Sequence, residues 1–254
     1  MAEAILSRLL AQNVFAPNTI LVSEPREARR DYLTQQYRVL TTTDNQAATS
    51  TAEILLLAIK PQVFDLVMAD IKPNPDSTVI SILAGVTIAK LESAFPQQPV
   101  IRVMPNTPAT VGQGMTAIAA GTNAKQEHLE RAKSIFNAVG EVVEVPESSM
   151  DAVTGLSGSG PAFVALAIEA LADGGVASGL PRGIALQLAT QTVLGTATLI
   201  KETELHPGVL KDRVTSPGGT TIAGVAKLES IGFRSALIEA VKTATERSKE
   251  LGKQ

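Results

Sequence analysis

The alternation of apolar and polar positions changes character once along the chain. Up to Pro146, short apolar runs alternate with segments of helical period, and beyond it only helical periods remain. Residues 1–11 place Ile5, Leu6, Leu9 and Leu10 on one side of a helix. Residues 19–23 (Thr-Ile-Leu-Val-Ser) read as a buried strand, followed by a charged helix over about 25–36 and a short strand at 38–40. Residues 53–59 form a nearly continuous apolar run, the strongest strand pattern in the chain. It ends at Lys60-Pro61, where the proline suits the first turn of a helix reaching about Ile71. Further strands are predicted at 78–83, 100–104, 115–120 and 141–145, with helices after Thr87 and over 126–138. Strands separated by helix-length segments predict a mostly parallel sheet covered on both faces.

Residues 147–251 show no strand pattern. They read as helices over 161–172, 181–201, 220–231 and 233–251, with breaks at Gly174-Gly175, Gly179-Leu180-Pro181 and His206-Pro207-Gly208. The expected organisation is therefore an α/β domain over 1–146 and an all-helical domain over 147–254. Residues 183–200 carry no charge over 18 positions, about the length of a membrane span. Gln187, Thr190, Gln191 and Thr198 nevertheless fall on one stripe, which is poor for lipid and suits a helix buried between subunits. The helices are rich in Ala, Gly, Ser and Thr and can approach one another closely, so a homodimer or larger homo-oligomer is expected rather than a monomeric bundle.

Composition narrows the chemistry. At 44% hydrophobic and 19% charged residues a packed core is expected, and with aromatics at 3% and no Trp it must be built from Ala, Val, Leu and Ile. A net charge of −3 without a basic run argues against nucleic acid as the main partner. The absence of Cys removes disulfides, thiol nucleophiles and Cys-based metal sites, and His128 and His206 alone are too few for a His-rich metal centre. Glu3 and Arg8 interrupt any signal-peptide pattern at the start. A cytoplasmic location without membrane association fits all of this.

The segment most suggestive of a ligand site is 214–222, Val-Thr-Ser-Pro-Gly-Gly-Thr-Thr-Ile. Pro217 fixes its own φ and biases Ser216 towards extended geometry. Gly218 and Gly219 remove two Cβ atoms, so main-chain amides can approach a ligand. Thr220 or Thr221 can cap the helix that follows, which should stop at Ile231 with Gly232 beyond its end. Free amides, hydroxyls and a helix start suit a small carboxylate, although spacing alone fits an ordinary Pro-Gly turn equally well. In the α/β half, ligands of an open parallel sheet bind beyond the carboxyl ends of its strands. There lie Ser23, Ala58-Ile59-Lys60-Pro61, Ala84-Gly85 and Met104-Pro105-Asn106-Thr107-Pro108. Arg26, Arg29 and Arg30 could meet a ribose phosphate beyond Ser23, but a solvated helix face explains them as well. Asn45 reads as a helix cap, Asn106 as a rigid loop residue or a functional one, His206 as ordering its turn, and Asp151 as a cap or solvated charge.

Taken together, Ala58-Ile59-Lys60-Pro61, Ala84-Gly85-Val86-Thr87-Ile88, Met104-Pro105-Asn106-Thr107-Pro108, the run from Asp151 through Gly158 to Pro161, and His206-Pro207-Gly208 through Thr221 resemble the pyrroline-5-carboxylate reductase family across essentially the whole chain. The resemblance implies a Rossmann-type domain holding NADPH, with NADH possible, and a helical substrate-binding and dimerisation domain. It implies reduction of 1-pyrroline-5-carboxylate to L-proline, the last step of proline biosynthesis. By motif, Ser216, Gly219 and Thr220 would hold the substrate carboxylate, Thr221 would hydrogen-bond the ring nitrogen and act as the catalytic residue, and Val214 would line the ring pocket. Residues matching Asn45, Ala58, Ile59, Lys60, Pro61, Ala84 and Asn106 would flank the dinucleotide, with Ser23 at the adenosine ribose. Glu24 beside it is awkward for a 2′-phosphate.

In the family a strand and a Gly-x-Gly loop stand before the helix that here opens the chain. The expectation is thus a Rossmann-type sheet lacking its first strand, a true start upstream of Met1, and weak NADPH binding by the sequence as written. Two other readings stand beside the reductase. A hydroxy-acid dehydrogenase of similar build should offer a Lys or His base in the early helices, where 161–201 holds only Arg182 and Lys201. A catalytically impaired oligomerisation protein is the other.

Overall fold

In the computed structural model, which describes residues 1–252, helices and strands alternate to residue 144: α1 (Ala2–Ala11), β1 (Leu21–Ser23), α2 (Glu27–Tyr37), β2 (Leu40–Thr42), α3 (Asn45–Ser50), β3 (Ile54–Leu57), α4 (Phe64–Ala69), β4 (Thr78–Ser81), α5 (Ile88–Ala94), β5 (Val100–Met104), β6 (Gly114–Ala120), α6 (Gln126–Asn137) and β7 (Gly140–Glu144). Only helices follow: α7 (Met150–Val153), α8 (Gly160–Ala177), α9 (Arg182–Thr203), α10 (Pro207–Arg213), α11 (Thr220–Ser230) and α12 (Phe233–Leu251). The chain divides into two units, Met1–Gly158 with the segment from Ala244 onward, and Ser159–Thr243. The last helix thus starts in the second unit and ends in the first.

The strands of the first unit form two sheets. β1 pairs in parallel with β2, and a separate five-stranded sheet has the order β3-β4-β5-β6-β7. Each of β1 and β3 presents one unpaired edge, the break expected of a sheet lacking its first strand. The apolar run Ile54-Leu55-Leu56 is correspondingly only half-buried, whereas β4 and most of β5 are fully buried. All pairings are parallel except β5 with β6. Nine residues, 105–113, join those two strands, too few for a parallel crossover.

Side-chain alternation across β4 and β5 builds a core on each face. Ile80 and Ile101 pack with Ile5, Leu9, Ile135 and Phe136 from α1 and α6, while their neighbours Val79 and Val100 pack with Phe64 and Leu91 from α4 and α5. Helix α1 also joins the two sheets: Ile5 and Leu9 enter the first core while Leu6 packs with Leu33 and Val39 under β1 and β2. A polar clasp reinforces this attachment. The Glu3 carboxylate accepts hydrogen bonds from Arg29 (2.5 Å), Tyr37 (2.7 Å) and Tyr32 (2.9 Å) of α2. Arg29 first, then Tyr37, lower the Glu3 pKa from 4.5 to about 2, and burial together with the bond to Glu3 pushes the Tyr37 phenol up.

Several boundaries differ from the sequence reading for identifiable reasons. β3 and β4 end earlier at their carboxyl ends, with half-buried Ile59 and buried Leu83 packing on the same core from loops. The short strand at 38–40 starts at Leu40 instead, because Arg38 takes a left-handed φ of +58° to terminate α2. Gly174-Gly175 is not a break, for α8 runs on to Ala177. An added Cβ on Gly175 would lie 3.1 Å from the Ala185 Cβ, so this glycine permits close contact between α8 and α9, where Ala172, Ala185 and Ala189 are buried. His206 Nδ1 accepts from the Gly208 amide (3.1 Å) and caps α10, as its position before Pro207 implied. In the second unit Leu166, Leu171, Leu188 and Leu194 of α8 and α9 are exposed in the single chain. Both α9 and the stretch Glu147–Ala177 are long and apolar enough to cross a membrane by length and composition.

Candidate active site

The loops that leave the carboxyl ends of the parallel strands carry most of the residues expected to hold a dinucleotide. At the end of β1 the Ser23 hydroxyl donates to Asn45 Oδ1 (2.7 Å). Asn45 is therefore the first residue of α3 rather than its cap, a role taken by Asp44, whose carboxylate accepts from the Ala47 amide at 3.1 Å. Arg26 pairs with Glu24 (Nε to Oε1, 2.9 Å) and holds its carboxyl below the usual carboxylate range. The negative charge of Glu24 at this edge is thus offset. Arg30 donates to the Glu24 and Pro25 carbonyls and stays at this edge, whereas Arg29 is committed to Glu3.

After β3, Ala58, Ile59, Lys60 and Pro61 run into a short 3₁₀ turn, with Lys60 exposed at its start. After β4, Ala84 is exposed and Gly85 takes a φ of +78°, a conformation that favours glycine. The next helix is fixed by Glu147, whose Oε1 accepts from the Ile88 amide (2.6 Å) and from Arg102 Nη1 (2.9 Å). After β5, Asn106 is fully engaged within the chain. Its Oδ1 accepts from the Met115 amide (2.9 Å), and its Nδ2 donates to the Ser157 carbonyl (3.2 Å) and hydroxyl (3.3 Å). That holds a one-turn π-helix, Thr154–Gly158, against the loop. Any contribution of Asn106 to a ligand therefore comes from shaping its loop. Glu147 lies outside every motif and Ser157 inside the Asp151–Pro161 run, but neither shows its role in sequence, since each acts through a partner far away in the chain.

These edges fit the ribose ends and the flank of a dinucleotide: a hydroxyl–amide pair at β1, arginines beside it, a free lysine after β3 and a small-residue loop after β4. A glycine-rich main-chain cradle for the pyrophosphate is not among the described residues.

In the second unit, the Ser216–Gly219 turn is closed by the Gly219 amide donating to the Ser216 carbonyl at 3.1 Å. Pro217 at its second position and Gly218 with φ +68° at its third give it type II character. Gly219, not a threonine, occupies the N-cap of α11, and no side chain caps the helix. Thr220 and Thr221 are thus its first two residues. Among the described residues neither their amides nor their hydroxyls have a hydrogen-bond partner, and both side chains are exposed. The Gly219 amide is spent on the turn, so what Gly219 offers is room: an added Cβ would lie 2.3 Å from Ser216 Oγ. Val214 stands 58% exposed beside this turn. It borders a mostly apolar groove of about 480 Å³ between α9 and α10, lined also by Gly195, Leu199 and Leu210.

An α/β unit with helices on both faces of its sheet and loops at the carboxyl edge, followed by a helical unit, is the build of an NAD(P)-dependent oxidoreductase of the Rossmann-plus-helical class. The sequence comparisons agree: residues 1–85 match the family described as "NADP oxidoreductase coenzyme F420-dependent", and residues 147–251 match "Pyrroline-5-carboxylate reductase dimerisation". The pyrroline-5-carboxylate reductase of Synechocystis is 63% identical over 100% of this chain and 96% of its own length. The solved structure of a pyrroline-5-carboxylate reductase from Coxiella burnetii superposes with a TM-score of 0.91 at 36% identity, covering 98% of this chain and 94% of that one. That of Plasmodium falciparum pyrroline carboxylate reductase with NADP bound gives 0.88 at 31% identity, covering 98% and 94%. The chain belongs to the pyrroline-5-carboxylate reductase family.

Proposed function

We propose that this protein reduces 1-pyrroline-5-carboxylate to L-proline with NADPH, NADH being the second choice, as the closing step of proline biosynthesis. The observation that carries the reading is the Ser216–Thr221 turn, whose unpaired donors sit at the positive end of an 11-residue helix. The Ser216 and Thr220 hydroxyls and the Thr220 amide hold the substrate carboxylate. Gly219 keeps the Ser216 hydroxyl in place, and Val214 lines the ring. Thr221 hydrogen-bonds the ring nitrogen and is the catalytic residue for its proton. NADPH, when bound, supplies the hydride that adds to the carbon of the C=N bond. The electron pair of that bond would pass to nitrogen, which would take up a proton relayed through the Thr221 hydroxyl, so that imine, hydride and proton together give the secondary amine.

On the sheet side, Ser23 and Asn45 hold the adenosine ribose. Ala58, Ile59, Lys60, Pro61 and Ala84 flank the dinucleotide, and Asn106 orders the loop after β5. Arg26 and Arg30 stand at the ribose edge, which favours the 2′-phosphorylated cofactor. The exposed leucines of α8 and α9 pair with a second copy of the chain, as the dimerisation match over 147–251 supports, and the enzyme works in the cytoplasm.

The test is the loss of reduced-nicotinamide absorbance with 1-pyrroline-5-carboxylate, NADPH and NADH. Thr221→Val should lower kcat roughly a hundredfold, the scale of a lost proton-transfer group, and Thr221→Ser should restore most of it. Turnover of hydroxy acids instead, or a Thr221→Val enzyme as fast as the unmodified one, would refute the proposal.

A further inference from the structure

The C-terminal turn of α12 returns to the first unit and lands beside the loop after β4. Ser248, 7% exposed, donates its hydroxyl to Asp151 Oδ1 at 2.7 Å. One turn later the backbone of Leu251 and Gly252 lies on Gly85: a Cβ built on Gly85 would meet the Gly252 Cα and amide nitrogen at 3.6 Å, and one built on Gly252 would meet the Gly85 carbonyl at 3.5 Å. The segment that carries Asp151 also carries Glu147, which binds the Ile88 amide at the other end of the same loop. Residues 84–88 are therefore held twice, directly by Glu147 and from above by the end of α12, with 147–151 tying the two holds together.

Ser248 is the most buried residue of a helix otherwise largely exposed, and its hydrogen bond fixes the register in which Gly252 reaches Gly85. The helix so fixed is continuous with Phe233 and begins directly after α11, the helix that carries Thr221. We infer that Ser248 and Asp151 form a positioning pair that sets the conformation of the Ala84–Gly85 loop for the dinucleotide, so that the end of α12 is part of the cofactor-binding machinery. This rests on the reading that the loop flanks the dinucleotide.

The test compares the full-length protein with Ser248→Ala, Ser248→Thr and Asp151→Ala. The readouts are NADPH dissociation constants from nicotinamide fluorescence without second substrate, KM for NADPH and for 1-pyrroline-5-carboxylate, and thermal midpoints. Ser248→Ala and Asp151→Ala should each weaken NADPH binding and raise its KM three- to tenfold, leaving KM for the imine within twofold. Ser248→Thr, which keeps the hydroxyl, should restore NADPH binding to within twofold. Unchanged NADPH affinity in Ser248→Ala overturns the inference alone. So does a loss shared equally by both KM values, or one that Ser248→Thr does not rescue, since either describes general loosening. NADPH binding without imine reduction by the unmodified protein overturns the proposed function and leaves this pair to be judged on the dissociation constants. No NADPH binding by the unmodified protein overturns both.

Discussion

The two adjacent glycines of the Ser-Pro-Gly-Gly-Thr-Thr turn are required for different reasons, and Gly219→Ala separates them. Gly218 has φ +68° and open space around its missing Cβ, so its constraint is conformational. Gly219 has φ −76°, which alanine adopts freely, but its Cβ would lie 2.3 Å from Ser216 Oγ and 3.2 Å from the Ser216 carbonyl. Carbon and oxygen need well over 3 Å, so the hydroxyl must swing more than about 1 Å to another rotamer. Ser216 is exposed and can do so, and the fold should lose no more than about 1 kcal/mol.

The cost falls on the ligand. A hydrogen bond to a charged group contributes about 1.5–3 kcal/mol, which at 1.36 kcal/mol per decade is a rise of roughly ten- to a hundredfold in KM for 1-pyrroline-5-carboxylate. Steady-state kinetics with the imine varied at saturating NADPH, alongside a thermal melt, measures both quantities. Ser216→Ala should produce the same rise by deleting the hydroxyl. The double variant should then be no worse than Ser216→Ala, because both changes remove the same bond. A Gly219→Ala enzyme with KM within twofold of the unmodified one shows that the Ser216 hydroxyl does not hold the carboxylate. A double variant showing the product of the two losses shows that the new methyl blocks the ligand by itself.

Other predictions concern the first unit. The Thr116 hydroxyl on β6 is buried without a hydrogen-bond partner among the described residues, so Thr116→Val should stabilise the protein by about 1–2 kcal/mol, read as a higher thermal midpoint; a lower one would mean that the hydroxyl is satisfied. Gly140 opens β7 with φ +148°, and an added Cβ would sit 1.9 Å from the Gly114 carbonyl oxygen across the ladder. Gly140→Ala should therefore cost roughly 4 kcal/mol or more in urea unfolding, and a loss under about 1 kcal/mol would contradict that close approach. Glu3, with its folded pKa lowered to about 2, contributes stability that is fully present above its unfolded value of 4.5 and is lost as pH falls from there through about 2. Because its side chain is 33% exposed, that contribution is roughly 1–2 kcal/mol after solvent screening. Glu3→Gln should be less stable by this amount at pH 7 and should converge on the parent near pH 2; parallel stability curves across that range would contradict the assigned cause.

How far these sites could be read from residues alone follows from the range over which each signal acts. Val100–Met104 and the Gly232 stop after α11 are local: burial on both faces makes a strand apolar at every position but Arg102, which Glu147 pairs, and a left-handed stop selects glycine from its own φ. The Pro217-Gly218 turn is local in the same way, which is why the turn was legible. Gly174-Gly175 was misread as a break because the reason for glycine lies on another helix, at Ala185. Asn45 was misread as a cap because Asp44, one residue earlier, takes that role and frees Asn45 for Ser23. Asn106 could be seen as special but not understood, since Ser157 and Met115, the groups it binds, come together only through tertiary structure. The same holds for Glu147 under Ile88 and for Ser248 on Asp151, separated by 59 and 97 positions. What a sequence of this kind hides is therefore specific: the loops proposed to meet ligand announce themselves through glycine and proline, while the side chains that hold those loops still are ordinary Glu, Asp and Ser whose purpose exists only in the folded state. Variants of that second set should leave the glycines and prolines of the loops intact and change cofactor affinity nonetheless.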